Sequence, residues 1–325
     1  MAKVGVLWQP EPAEREMLLE AFGEVAWLAD APDPDVQAVL TFFPRREMAK
    51  ATTAWSDLPN VGLIQSCTAG LNHVGWDDLP DVPVAAAPGA TGPIIAEYVL
   101  GCILAWSRGL VWHTDRIKKG DLRLGDATKA LAELRVGVVG LGGIGQAVGR
   151  LLHGLGCTLE GVSRSGDAGD AAGAFAWTGT MGALPAMAAR CDVLVLCLPL
   201  TRETEGLVDL DLLSGMSGRH ALLVNVARGP IVREPDLFAW LDSSRMHMAA
   251  LDVWWRYPGP SERPFSYPFE TLPNVIMTPH NSPNVAGFRL RMLAQAIEQV
   301  QHFLATGEAL HVHDPAWYGA GGDGR

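Results

Sequence analysis

Apolar residues along this chain gather into short dense runs, separated by stretches in which they recur every three to four positions. KVGVLW reads as a strand and PAEREMLLEAF as an amphipathic helix; VQAVLTF, VGLIQSC and VPVAAA follow as further strands. The alternation strengthens in the middle of the chain. RVGVVGLG, TLEGVS, CDVLVLCLP, HALLVNVA, MHMAALDV and NVIMTPH are apolar at consecutive positions, with no period of two. Strands of that kind are buried on both faces, so the pattern predicts parallel sheets covered by helices. Strand–helix alternation over the whole length predicts an α/β fold of doubly wound parallel sheets.

Two long helical patterns flank the middle. One spans residues 93–119 and stops at Gly120; the other spans 284–306 and stops at Gly307, glycine being the usual residue at a helix C-terminus. A hinge at each predicts two domains. Residues 1–95 form the first part of one domain, 96–284 a second domain inserted into it, and 285–325 the return to the first. The final GAGGDGR reads as a disordered tail. RYPGPSERPFSYPFETLP, rich in proline and aromatic residues, reads as an ordered loop.

Composition narrows the class. A chain of 325 residues is long for a single core, and 48% hydrophobic against 19% charged residues indicates a globular protein. A net charge of −11 argues against general binding of nucleic acid or anionic membrane, so an anionic substrate needs local positive charge. No apolar stretch reaches ~18 residues unbroken, and MAKVGVLWQP lacks the form of a signal peptide, so neither a membrane span nor export is expected. Cys67, Cys102, Cys157, Cys191 and Cys197 include no CxxC pair and sit mostly in apolar runs. They read as buried free thiols of a cytoplasmic protein. His73, His311 and His313 have no metal-ligand spacing around them, and no metal is expected.

The chemistry begins at VVGLGGIGQAVGR. Gly140, Gly142 and Gly145, with Gly143 and Ile144 between the last two, follow an apolar strand and open a helix. In that setting Gly140 allows the tight turn, Gly142 the approach of a pyrophosphate, and Gly145 close helix–strand packing, and the helix N-terminus faces the phosphates. An acid is expected at the end of the next strand, where it binds the ribose 2′-OH of NAD. LEGVSRSGD instead offers Ser163, Arg164 and Ser165. Two hydroxyls and a guanidinium suit a 2′-phosphate, so NADP(H) is the expected cofactor. An Arg164 stacked on the adenine would leave NAD possible.

With these features, SCTAGLNHVGW, PGATGPIIAEYVLG, LCLPLTRETEGLV, LLVNVARGPIV, ALDVWWRYP and NVIMTPH give the chain a resemblance over nearly its whole length. It resembles the D-isomer-specific 2-hydroxyacid dehydrogenase family, which includes glyoxylate/hydroxypyruvate reductases. The resemblance implies a Rossmann cofactor domain inserted into a flavodoxin-like substrate domain, and hydride transfer between NAD(P)(H) and a small anionic 2-keto or 2-hydroxy acid. It also implies a homodimer through the cofactor domains. Arg228 then grips the substrate carboxylate and polarises the carbonyl, and His280 donates the proton. Backbone N–H groups of Ala69, Gly70 and Leu71 complete the carboxylate site, with Asn72 beside them. Leu198, Pro199, Thr204, Val226 and Ala227 line the cofactor, which His280 also faces, and Asp252 contacts its carboxamide.

One position departs from the family pattern. A glutamate usually stands five residues after the aspartate, just before a proline, and pairs with the histidine. Here that register holds Tyr257, followed by Pro258, while Glu262 and Glu270 lie further along the loop. Tyr257 therefore joins Arg228 and His280 as a candidate catalytic group, and either glutamate could fold back to the ring. Two other readings compete: a dinucleotide-sensing, corepressor-like binding protein, and a reductase of an unusual acid such as a phosphonate-bearing keto acid, its pocket wall reshaped by Trp254 and Trp255. Loss of the glutamate favours a sensor slightly, whereas retention of both Arg228 and His280 favours an enzyme more.

Overall fold

The computed structural model describes residues 3–122, 129–216, 220–259 and 261–318. The chain divides into two units, Met1–Thr91 with Val285–Arg325, and Gly92–Asn284. In the first, strands β1 (Lys3–Val6), β2 (Val25–Trp27), β3 (Val36–Thr41), β4 (Leu63–Ser66) and β5 (Val84–Ala85) pair in parallel in the order β2-β1-β3-β4-β5. This is the flavodoxin-like order. Helix α1 (Pro12–Phe22) begins with proline in its first turn behind a capping box at Glu11, and ends at Gly23 with φ 73°. Helix α2 (Pro44–Met48) follows β3.

The second unit carries helices α3 (Gly92–Ser107), α4 (Leu110–Lys118), α5 (Gly143–Gly154), α6 (Leu184–Ala188), α7 (Leu210–Gly215) and α8 (Glu234–Ser243). Its strands are β6 (Arg135–Val139), β7 (Thr158–Ser163), β8 (Trp177–Thr180), β9 (Val193–Leu196), β10 (Ala221–Asn225), β11 (His247–Leu251) and β12 (Val275–Met277). All pair in parallel, in the order β12-β11-β10-β9-β6-β7-β8. Counted from β6, that is the Rossmann order with a seventh strand added. Helix α9 (Phe288–Thr306) belongs to the first unit, where Leu293, Ala296, Ile297 and Val300 pack on Val4, Val6, Leu40 and Leu63.

The burial pattern explains the unbroken apolar runs. Every residue of β9 and β10 is buried, because helices cover both faces of the central sheet. The structure also corrects the sequence reading. The helix expected over 93–119 is two helices, broken at Gly109 (φ 60°) and bent by 50°. Glycine is required there both by its left-handed backbone and because a Cβ would lie 2.9 Å from the His113 ring. The helix expected from 284 starts at Phe288, after Gly287 at φ 76°. The expected tail, residues 319–325, lies outside the described residues. All five cysteines are free, and four are buried. Among the described residues no single helix is long and apolar enough to cross a membrane.

Candidate active site

The glycine turn joins β6 to α5. Gly140 has φ 97°, and a Cβ on it would lie 2.6 Å from the carbonyl oxygen of Cys197. A Cβ on Gly145 would lie 1.9 Å from the Gly140 carbonyl oxygen, so the first turn of α5 closes on the strand only without one. Gly142 differs: its φ is −76°, and a Cβ there would meet nothing within 4 Å. Neither the backbone nor a protein neighbour demands glycine at that position, but an approaching phosphate would. As N-cap it offers no side-chain acceptor. Among the described residues none accepts from the N–H groups of Gly143, Ile144 and Gly145. A helix start with open N–H groups and room in front of it fits the pyrophosphate of a dinucleotide.

Ser163 ends β7, and Arg164 and Ser165 are exposed in the loop after it. Ser163 Oγ accepts from Gly166 N–H (3.0 Å) and Ser165 Oγ from Asp167 N–H (3.2 Å), so each hydroxyl keeps its proton for an outside acceptor. The one acid on β7, Glu160, is buried; burial opposes its charge, but ion pairs with Arg190 and Arg135 hold its pKa below the usual carboxylate range. The loop after β9 closes on itself. Leu198 is buried, and Thr204 Oγ1 donates to the Pro199 carbonyl (2.7 Å) and accepts from Thr201 N–H (2.8 Å).

Arg228 follows β10, beyond buried Val226 and Ala227. Asn225 braces this turn: its Oδ1 accepts from Ala227 N–H (3.0 Å) and its Nδ2 donates to the Arg228 carbonyl (3.0 Å). Arg228 Nη1 donates to the Ala227 carbonyl (2.7 Å), which fixes one side of the guanidinium. Gly229, unremarked at the level of sequence, lets two backbones meet. A Cβ there would lie 2.2 Å from the Trp254 carbonyl carbon and 2.5 Å from Trp255 N.

His280 lies just past β12 with φ 58°, a left-handed backbone that costs an L-residue about 1 kcal/mol or more. Asp252 holds it there. Oδ1 accepts from Thr278 Oγ1 (2.5 Å) and Asn281 N–H (2.9 Å), and Oδ2 accepts from Ser282 N–H (2.8 Å). Asp252 has 0% exposure. Buried in this way, it anchors the segment that carries His280. Tyr257 Oη lies 2.9 Å from His280 Nδ1 and accepts from Trp254 N–H at 3.2 Å. Neither loop glutamate replaces it: Glu270 pairs with Arg263 at 2.7 Å, and Glu262 is exposed in the turn opened by Gly259. Trp254 and Trp255 are braces, donating their indole N–H groups to the carbonyls of Thr278 (2.9 Å) and Val232 (2.7 Å). These contacts link residues distant in sequence, so only the TPH and LDVW motifs hinted at them.

His280 keeps solvent exposure, yet the surrounding chain displaces enough water to lower its pKa; the Arg228 guanidinium lowers it further, against the Asp252 carboxylate. Burial raises the Tyr257 pKa, so the phenol is neutral over the ordinary pH range. In the first unit, the turn after β4 is tied by Ser66 Oγ to Thr68 N–H (3.1 Å) and by Thr68 Oγ1 donating to the Gly70 carbonyl (3.1 Å). Among the described residues none accepts from the N–H groups of Ala69, Gly70 and Leu71. Asn72 has partners of its own. Among the described residues, no group of three or more His, Cys, Asp or Glu side chains is placed to hold a metal.

A guanidinium and an imidazole at the carboxyl ends of nearby strands, in a unit that opens on a nucleotide turn, are the equipment of a dinucleotide-dependent oxidoreductase. The family model for the NAD-binding domain of D-isomer-specific 2-hydroxyacid dehydrogenases matches residues 100–282, and the chain belongs to that family. It is 30% identical to hydroxyphenylpyruvate reductase of Plectranthus scutellarioides over 69% of each chain. A D-isomer-specific 2-hydroxyacid dehydrogenase from Xanthobacter autotrophicus Py2, solved with NADPH and MES, superposes with a TM-score of 0.79 at 30% identity, covering 97% of this chain and 98% of that one. The NADPH-dependent glyoxylate/hydroxypyruvate reductase from Sinorhizobium meliloti, solved with NADP and sulfate, gives a TM-score of 0.76 at 26% identity over 98% and 99%.

Proposed function

We propose that this chain interconverts a small 2-keto acid of the glyoxylate or hydroxypyruvate type and its 2-hydroxy acid, using NADP(H). The observation that carries the reading is the pairing of a braced Arg228 with a His280 ring held within its electrostatic reach. Arg228 binds the substrate carboxylate through its planar fork and draws charge onto the carbonyl oxygen. Within the first unit, the unclaimed N–H groups of Ala69, Gly70 and Leu71 also suit an anion. A dinucleotide held at Gly142 and the start of α5 supplies the hydride. His280 gives a proton to the oxygen as alkoxide charge develops there, and takes it back in the reverse direction. The test is loss of reduced-nicotinamide absorbance with a panel of 2-keto acids; no turnover of any of them would reject the reading.

NADP(H) preference rests on Ser163, Arg164 and Ser165, and is supported by the two relatives solved with that cofactor. NADPH will be used with a higher kcat/KM than NADH. Arg164→Ala will weaken NADPH by roughly ten- to hundredfold, the equivalent of about 1.5–3 kcal/mol for a charge-assisted contact, and leave NADH little changed. Equal kcat/KM for the two cofactors in the unmodified protein would refute it. The family resemblance also points to a homodimer through the second unit. Helix α4 supports this, exposing Leu110 (55%), Trp112 (46%) and Ile117 (55%), and sedimentation of the purified protein checks it. The free thiols suit a reducing cytoplasm.

A further inference from the structure

His280 is held by an unusual neighbour. A carboxylate can only accept from Nδ1, and its charge favours the imidazolium. A phenol carries no charge, and it can either accept from Nδ1–H or donate to bare Nδ1. The Tyr257 hydroxyl is itself placed by the N–H of Trp254, whose indole is tied to the Thr278 carbonyl, two residues before the histidine. The whole bracket is thus built from the backbone around His280, and it satisfies the ring in both charge states.

We propose that Tyr257 is the positioning residue of His280, a neutral partner that serves both protonation states and confines proton donation by this histidine to acidic pH. This rests on the function proposed above. The charged and titratable groups around the ring agree with it. Arg228, after β10, opposes a positive ring, and Asp252, after β11, favours one but spends its oxygens on Thr278, Asn281 and Ser282. From α3, Tyr98 bonds Thr278 Oγ1 at 2.7 Å, and burial raises its pKa, so it stays neutral. In the loop, Glu270 is paired with Arg263, and Glu262 is exposed. The balance of these effects lies below the ordinary imidazole pKa.

The sign follows. A ring whose pKa is lowered is charged only below that value, so the donor form disappears as pH rises through the acidic range. Reduction of the keto acid then falls tenfold per pH unit above a limb lying below about 6.5. Oxidation of the hydroxy acid uses the uncharged ring as base and rises through the same limb to a plateau at neutral pH.

The experiment has two readouts on the same variants. NMR titration of the His280 imidazole in the purified protein, without cofactor or substrate, reads the ring directly; kcat/KM against pH in both directions reads its use. In the unmodified protein the ring is expected to titrate below about pH 6.5. Tyr257→Glu, which places the carboxylate of the family pattern beside Nδ1, is expected to move both the titration and the reduction limb up by at least one pH unit. Tyr257→Phe is expected to leave the limb on the acidic side and lower the plateau about three- to tenfold, the loss of one hydrogen bond. A ring that titrates above pH 7 in the unmodified protein overturns the proposal, as does an unmoved titration in Tyr257→Glu. Reduction that stays flat to about pH 9 and vanishes in Tyr257→Phe also overturns it, because the phenol would then be the proton source. Failure to turn over any keto acid rejects the proposed function, while the titration still decides the Tyr257–His280 pairing.

Discussion

Arg228→Lys is expected to reduce kcat/KM for the keto acid by well over tenfold while leaving NADPH affinity nearly unchanged. The guanidinium presents two parallel N–H groups to a carboxylate, and an ammonium presents a point charge on a flexible stem. The site adds a second reason. Arg228 Nη1 already donates to the Ala227 carbonyl, so the fork is aimed before substrate arrives, and Asn225 fixes the turn that carries it. Lysine keeps the charge and loses that registration. Alignment errors near 1 Å cost on the order of a hundredfold in rate. The charge that anchors the carboxylate and polarises the carbonyl is displaced for both tasks at once, so kcat falls as well as kcat/KM. Activity equal to the parent on every accepted keto acid would remove Arg228 from the role assigned to it.

Two glycines three residues apart, Gly142 and Gly145, should separate binding from folding. Gly145→Ala forces a Cβ to within 1.9 Å of the Gly140 carbonyl oxygen, a backbone atom that cannot swing aside. The expected loss is about 3 kcal/mol, at the upper end for overpacking, or roughly 6–12 °C in Tm. Gly142→Ala meets open space and has an ordinary φ, so Tm should hold while the added methyl crowds an incoming pyrophosphate and NADPH affinity drops at least tenfold. Thermal melts and cofactor titrations of the two variants check the pair. An unchanged Tm for Gly145→Ala, or unchanged NADPH binding for Gly142→Ala, contradicts the reading of that position.

Central strands announce themselves in the sequence because both faces are buried, as in β9 and β10. The edge strands β2 and β8 escaped, since VAW and WTGT are too short and mixed to show a pattern. The break between α3 and α4 was hidden for a different reason: a single glycine inside a helical pattern is tolerated as often as it bends the helix. At the site, the glycine turn, Arg228 and His280 lie in contiguous motifs and could be read off directly. Register alone also pointed to Tyr257, which the structure places 2.9 Å from His280 Nδ1. What could not be read is which side chain closes on which backbone. The motif of Asp252 carries no sign that Thr278, Asn281 and Ser282 occupy its oxygens. Gly229 carries no sign of its role in the sequence because the segment it admits, Trp254 and Trp255, follows the neighbouring strand.

The buried thiols have a practical consequence for watching this protein come apart. Burial raises the pKa of Cys67 in the first unit, and pushes that of Cys191 in the second to about 12. A thiol kept protonated and out of water is a poor nucleophile. Cys67 and Cys191 therefore become reactive only when the unit around each opens, and an alkylating label applied to the native ensemble records at these two positions which unit opened and how often.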